Sequence, residues 1–291
     1  TQKSVNIKSV ERCFMRYKRI LTVQDISCVG QCSSTVALPI LSVCGFETGV
    51  LPCSLLSNHT TGFDDYSFKD LADEMKEIID KWQNQQIKFS AVYSGYIGNI
   101  SQLKMLEKVM DKCLEDGAVR IIDPAMADNG QLYPGFDGQF IEEVKALISK
   151  ADYILPNVTE ACLLTGAEYT EVYNQQFIEM LLKKLAEIGC KNIVLTGVSF
   201  DSRSIGMAIY TNGSCSFHFH EKVSRSSPGT GDVFASVFTG ALLKGKNIFD
   251  SAEIASTFVV ECLKETLKYP DHTYGPVFEP LLGKLIEAMN N

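Results

Sequence analysis

An α/β fold, with a mostly parallel central sheet and helices on both faces, is what this sequence predicts, and three observations predict it. Short β-rich runs and amphipathic helical stretches alternate repeatedly with brief connections, the pattern of parallel strands joined by crossover helices. The alternation gives way to a hairpin signal, two alternating strands about Asn212-Gly213, and then to closing helices. No stretch has the composition of an interdomain linker, an internal repeat or a low-complexity tract. Residues 17–291 are therefore expected to form one domain, with residues 1–16 a poorly ordered appendage.

Taken in order, residues 19–24 are β-rich and lead into a polar loop over 25–33. Residues 34–43, with Pro39 in the run and Gly45 at its close, suit a helix. Residues 48–55 are extended, and Pro52, which cannot donate to a ladder, assigns them to an edge or irregular strand. Residues 67–82 place Leu71, Met75, Ile78, Ile79 and Trp82 on one helical face. A buried-type strand over 89–93 follows. Ser101 is the expected cap of the next helix, which turns Leu103, Leu106, Val109, Met110 and Cys113 inward and stops at Gly117. Strand 119–122, helix 138–150, strand 152–155, a short helix from Thr159, helix 179–188 and strand 191–196 continue the series. Hairpin 205–220 and helices from Asp232, over 249–267 and over 277–289 complete it.

A formal charge of −8 leaves no basic surplus to neutralise phosphates, which excludes nucleic acid and anionic membranes as partners. No apolar run approaches the roughly 20 residues of a membrane span, and the first residues lack a signal peptide's apolar region. The ten cysteines are scattered, without Cys-x-x-Cys or paired histidine spacing. They suit buried free thiols in a reducing cytoplasm. His218 and His220 share one face of a strand, and simple alternation with Phe217 and Phe219 accounts for them.

The chemistry concentrates at Ser227-Pro228-Gly229-Thr230-Gly231-Asp232, which precedes an apolar helical run. Glycines at a helix start leave backbone N–H groups free, at the positive end of the macrodipole, for an anion such as phosphate. Asp232 in that place would repel a phosphate unless it had a chemical role. A carboxylate aimed at a hydroxyl beside a held phosphoryl group is what phosphoryl transfer to an alcohol needs. The same residues also suit a plain turn with Asp232 as an N-cap. Ligands of open α/β sheets bind at the carboxyl ends of the strands. There the chain places Asp25, then Ser57-Asn58-His59-Thr60, Ser94-Gly95-Tyr96, Asp123-Pro124, Pro156-Asn157-Val158-Thr159-Glu160 and Thr196-Gly197. Singly each is also a turn or a cap. Together, Asp123, Asp128, Asn157 and Glu160 suit Mg²⁺, held directly or through water beside a substrate phosphate, leaving Asp232 free to take a proton.

These motifs, in this order, are similar to those of the ribokinase superfamily and, within it, the pyridoxal kinase family of vitamin B6 kinases, from about Tyr17 onward. Gly229-Thr230-Gly231-Asp232 resembles the anion-hole and catalytic-base motif. Ser57-Asn58-His59-Thr60 and Ser94-Gly95-Tyr96 resemble segments that line the pyridine pocket. Asp123-Pro124-Ala125-Met126-Ala127-Asp128 and Pro156-Asn157-Val158-Thr159-Glu160 resemble the phosphate-side motifs. The resemblance implies a ribokinase-like three-layer αβα sandwich and ATP-dependent phosphorylation of the 5′-hydroxymethyl group of pyridoxal, pyridoxine or pyridoxamine. It implies Asp232 as base, with Gly229, Thr230 and Gly231 stabilising the transferring group. By the same likeness Asn157 and Glu160 organise Mg²⁺ and phosphates, Asp123 lies beside the ATP phosphates and Thr196 near the nucleotide. His59, Thr60 and Tyr96 would touch the pyridine. Asp128 is the candidate for a monovalent cation, K⁺ or Na⁺, and the family is commonly dimeric.

Two departures stand out. Asp25 occupies a position where many members have serine, and a carboxylate there would favour a protonated vitamer, pyridoxamine. Leu155 replaces a threonine found before Pro-Asn in some members, which weakens a cation site built the same way. The alternatives are a hydroxymethylpyrimidine kinase, a sugar kinase, or a non-catalytic pyridoxal-phosphate binder. Asp232 and Ser57-Asn58-His59-Thr60 argue against the first. The missing N-terminal di-glycine argues against the second, and a base with metal-side Asn157 and Glu160 against the third.

Overall fold

The structure, a computed structural model, describes residues 17–290; the expected appendage over residues 1–16 lies outside them. The chain runs β1 (Arg19–Ser27), α1 (Ser33–Val43), β2 (Glu47–Leu56), β3 (Phe68–Asp70), α2 (Ala72–Asn84), β4 (Phe89–Ser94), α3 (Ile100–Lys112) and β5 (Leu114–Ile122). A small hairpin, β6 (Ala127–Asp128) and β7 (Gln131–Leu132), precedes α4 (Gly138–Ile148), β8 (Tyr153–Ile154), α5 (Val158–Thr165) and α6 (Gln175–Ile188). Then come β9 (Ile193–Val198), β10 (Ser204–Thr211), β11 (Ser214–Glu221), α7 (Thr230–Leu243), α8 (Ile248–Thr266) and α9 (Leu282–Asn290).

Nine of the described strands form one sheet in the order β11-β10-β9-β8-β5-β4-β1-β2-β3. Its centre is parallel, and β3, β10 and β11 pair antiparallel at the two edges. Side-chain alternation splits the core in two. In β4, Val92 packs into the layer that holds Met75, Leu106, Val144 and Leu181 of α2, α3, α4 and α6. Ala91 and Tyr93 face the layer of Val36, Phe238, Phe258 and Leu285 from α1, α7, α8 and α9. The three-layer α/β architecture is the one expected. After β1 the chain moves outward to β2 and then returns to lay β4 on the opposite side of β1. This reversal of strand order opens a crevice at the carboxyl ends of β1 and β4.

Local differences have local causes. Residues 68–70 extend the sheet instead of starting a helix. They pair with Ser54–Leu56 of β2, and the Leu71 N–H donates to the Cys53 carbonyl at 3.0 Å. Asp70 then accepts the Ala72 N–H at 2.7 Å, so α2 starts late. Asn99 rather than Ser101 caps α3, its side chain accepting the Gln102 N–H at 3.0 Å. Gly117 does not end α3; with φ of 75° it lies within β5, where the pairing to β4 shifts register. Pro52 sits in β2 before the stretch that β3 covers, so its missing N–H is tolerated as expected.

Candidate active site

The start of α7 leaves backbone N–H groups free at a glycine turn. Gly229 is the N-cap with φ of 80°, and the first helical bond runs from the Val233 N–H to the Gly229 carbonyl at 3.1 Å. The N–H groups of Thr230, Gly231 and Asp232 therefore precede the helical ladder. A Cβ added at Gly229 would lie 2.1 Å from the Gln31 carbonyl oxygen, so only glycine lets the loop before α1 close on this turn. A Cβ at Gly231 would meet nothing within 4 Å, which leaves that side open. Asp232 is half-buried here. Burial pushes its carboxyl up to about 7; the Ser33 backbone N–H works against this and nearby Asp25 adds to it.

Other carboxylates converge from neighbouring strand ends. Burial, then Glu160 and Asp232, hold the Asp123 carboxyl well above its usual range. Glu160 is enclosed and pushed up to about 8 by burial, against backbone hydrogen bonds that favour its charge. Its Oε1 accepts the Met126 N–H at 3.1 Å and its Oε2 the Asn157 N–H at 2.8 Å. Asn157 returns the bond by accepting the Glu160 N–H at 2.9 Å, a complete capping box for α5, and donates from Nδ2 to the Ala127 carbonyl at 2.9 Å. Thr196 is tied in as its N–H donates to the Pro156 carbonyl at 2.9 Å. Asp128 stands exposed on the β6–β7 hairpin, accepting the Asn129 N–H at 2.9 Å.

This donor set fits Mg²⁺ bound mainly through phosphate and water. Among the described residues no group of three or more His, Cys, Asp and Glu closes on one point. Both oxygens of Glu160 already accept backbone N–H groups, so toward a cation it would act by charge or through water, the mode magnesium favours.

On the other side of the crevice the groups are looser. Asp25 is buried at the end of β1, its carboxyl raised by burial, while the Ser33 hydroxyl, the Ser27 hydroxyl at 3.3 Å and His59 favour its ionised form. His59 is anchored by its backbone N–H to the Val29 carbonyl at 2.8 Å, and its ring Nδ1 lies 3.2 Å from the Thr61 N–H. Thr60 is exposed. Tyr96 follows Gly95, whose missing Cβ makes room for Gln24 Oε1, 2.4 Å from where a Cβ would sit. The Tyr96 ring leans on Phe136 at 5.8 Å, and burial pushes its hydroxyl up to about 12.

The structure brings in residues the motifs did not name. Ser33 adopts φ of 46°, unusual for a side-chain-bearing residue, where α1 begins. Its N–H serves Asp232 and its hydroxyl Asp25. Nothing in the sequence distinguishes it from its neighbour Ser34. Gln31 is clasped by the far end of the chain. It donates to Glu279 at 2.7 Å, its N–H donates to the Tyr274 carbonyl at 3.1 Å, and its side-chain oxygen meets His272 Nε2. His272, given no role from the sequence, thus braces the loop behind Gly229.

A family model described as phosphomethylpyrimidine kinase matches residues 54–278. The chain is 25% identical over 261 residues to a pyridoxine/pyridoxal/pyridoxamine kinase of Bordetella avium, covering 84% of each. It is 25% identical over 239 residues to a pyridoxal kinase of Dictyostelium discoideum, covering 76% of this chain and 77% of the other. Among solved structures, pyridoxal kinase from Lactobacillus plantarum matches with a TM-score of 0.86 at 29% identity, over 94% of this chain and 98% of that one. A Bacteroides thetaiotaomicron protein, provisionally named a phosphomethylpyrimidine kinase and crystallised with pyridoxal, matches with a TM-score of 0.87 at 31% identity, over 95% and 96%.

Proposed function

Because the chain belongs to the phosphomethylpyrimidine kinase family, we propose that it phosphorylates the 5′-hydroxymethyl group of a vitamin B6 vitamer, pyridoxal, pyridoxine or pyridoxamine, at the expense of ATP. The observation that carries this reading is a half-buried carboxyl near pKa 7, Asp232, set among open helix-start N–H groups. At neutral pH such a group ionises readily and still takes a proton, the balance a general base requires. Asp232 would accept the proton of the hydroxymethyl group, and the N–H groups of Gly229, Thr230 and Gly231 would neutralise charge on the moving phosphoryl group. Mg²⁺-ATP supplies that phosphoryl group and charge neutralisation on its leaving side. Asp123, Asn157 and Glu160 would hold the metal and phosphate side, with Thr196 toward the nucleotide. Asp25, His59, Thr60 and Tyr96 would receive the pyridine.

A second reading, phosphorylation of hydroxymethylpyrimidine, is favoured by the family description and by 27% identity over 186 residues to the hydroxymethylpyrimidine/phosphomethylpyrimidine kinase of Bacillus subtilis. Incubating the purified protein with Mg²⁺-ATP and each vitamer or hydroxymethylpyrimidine, and weighing the products by mass spectrometry, separates the two. We expect a phosphorylated vitamer; product from the pyrimidine alone would select the second reading, and no product at all a binding role. We propose further that residues 17–291 work as one domain and that the protein is a homodimer. Leu55, Tyr66 and Phe68, exposed along the β2–β3 edge, support the dimer. A role for Asp128 toward K⁺ or Na⁺ rests on its exposed place at the hairpin. A cytoplasmic setting agrees with the free thiols of every described cysteine; among the described residues no helix is long and apolar enough to cross a membrane.

A further inference from the structure

The loop after β2 carries His59 and Thr60, and it closes on itself. The Ser57 N–H donates to the Ser67 carbonyl at 3.2 Å, the Ser67 N–H donates to the Ser57 hydroxyl at 2.9 Å, and Asn58 Nδ2 donates to the Asp65 carbonyl at 2.9 Å. Its first leg is tied where the His59 N–H reaches the Val29 carbonyl. Its tip, Gly62-Phe63, leans instead on the segment that follows α8. A Cβ added at Gly62 would lie 3.0 Å from the Thr273 carbonyl group and from Tyr274 Cβ, so the loop tip and that segment touch directly. The Phe63 ring stacks on the Tyr274 ring, with centroids 5.0 Å apart and planes inclined by 29°, and the His272 ring lies 4.2 Å from the same tyrosine.

The same segment also reaches the Gly229 turn. The Gln31 N–H donates to the Tyr274 carbonyl at 3.1 Å, a Cβ added at Gly275 would lie 2.3 Å from Gln31 Cβ, and Pro276 Cδ stands 3.4 Å from where a Cβ of Gly229 would sit. Tyr274 thus meets the loop of His59 and Thr60 with its ring and the loop behind Gly229 with its main chain. The two contacts are separable, because truncating the ring leaves the carbonyl in place. Phe63 is 37% exposed at a loop tip, so its ring has no core to fill. We propose that Tyr274 is a positioning residue whose ring, through Phe63, fixes the loop of His59 and Thr60 relative to the Gly229 turn, so that the acceptor alcohol stands in line with the phosphoryl group. The inference rests on the reading of His59 and Thr60 as acceptor groups. Transfer between two bound molecules is sensitive to such placement, since a shift of about 1 Å lowers a rate by on the order of 10²-fold.

The test uses the full-length protein with Mg²⁺-ATP and pyridoxal, pyridoxine or pyridoxamine as acceptor. Tyr274→Ala should raise the KM for the acceptor and lower its kcat/KM roughly three- to tenfold, the scale of one aromatic pair, with the KM for ATP unchanged. Phe63→Ala, at an exposed loop tip, should do the same. The double variant should lose no more than the worse single, because the two rings form one contact. Tyr274→Phe, which keeps the stack, should restore the wild-type values. An acceptor KM unmoved in both alanine variants, or losses that simply add, overturns the inference; so does a lower Tm alone, which marks packing without placement. A wild-type protein that phosphorylates none of the three vitamers removes the acceptor reading and this inference together. An active wild type with an unmoved acceptor KM in Phe63→Ala and Tyr274→Ala removes only the inference.

Discussion

The two flanks of the crevice are held in different ways. On the flank proposed for the phosphates, Asn157, Glu160 and Gly229 are fixed by the main chain: a reciprocal capping box, two N–H groups on one carboxylate, and a glycine against the Gln31 carbonyl. On the flank proposed for the acceptor, Asp25, His59, Thr60 and Tyr96 stand on strand ends and a loop, with a hydroxyl contact, a ring nitrogen against one backbone N–H and a leaning ring in place of a reciprocal main-chain frame. The contrast teaches where change is tolerated. A phosphoryl group looks alike in every reaction of this kind and can be met by backbone, whereas the alcohol that receives it varies and is met by groups that substitution alters freely.

The largest break in that comparison comes from Asp232, the proposed base, which would serve both flanks. Asp232→Ala should lower kcat by roughly 10² or more while the far-UV circular dichroism stays unchanged; a variant with full turnover would remove the base assignment. Gly229→Ala attacks the main-chain frame itself. The left-handed φ of 80° and the close Gln31 carbonyl force a shift of the turn, for a stability loss of about 1–3 kcal/mol. We expect at least a tenfold drop in kcat together with a lower denaturation midpoint.

A smaller effect sharpens the electrostatic side. A carboxyl whose pKa is higher folded than unfolded binds its proton more tightly in the fold, so its contribution to stability is full below the unfolded value and lost as pH rises through the folded one. For Asp232 that window runs from the ordinary carboxylate range to about 7. Asp232→Asn should therefore raise Tm by roughly 3 °C or more at pH 8 and by clearly less at pH 5; equal gains at both would contradict the raised pKa. The mildest change belongs to the acceptor flank. Asp25→Ser should shift the kcat/KM ratio of pyridoxamine to pyridoxal several-fold toward pyridoxal, on the order of one lost charge interaction, with the KM for ATP unaltered. An unchanged ratio removes Asp25 from vitamer choice.

What the sequence made legible follows the same division. Helices expected over 67–82, from Ser101 to Gly117 and over 179–188 were legible as helices, and form over 72–84, 100–112 and 175–188, because each buries one stripe on the sheet; their ends were not. The glycine-rich helix start was legible from its two glycines, and the structure shows why the first is needed: Gly229 has a left-handed φ and packs on the Gln31 carbonyl, whereas Gly231 has open space around it. The β6–β7 hairpin was not, since two-residue strands carry no period. Nor were Phe68–Asp70, whose strand character comes from pairing with β2 and not from their own pattern. Ser33 and Gln31 escaped for a related reason. Their importance comes from partners distant in sequence, and an isolated serine or glutamine looks the same wherever it falls.

The clasp of Gln31 by Glu279 joins positions 248 residues apart. A closure over so long a stretch comes late, after local and neighbouring strand contacts have formed. During synthesis the sheet can therefore assemble while the corner that would act on ATP is still unfinished. A chain cut before residue 272 would keep every strand of the sheet and lose the His272, Tyr274 and Glu279 groups that clasp Gln31, so the loop behind Gly229 would stand without its brace.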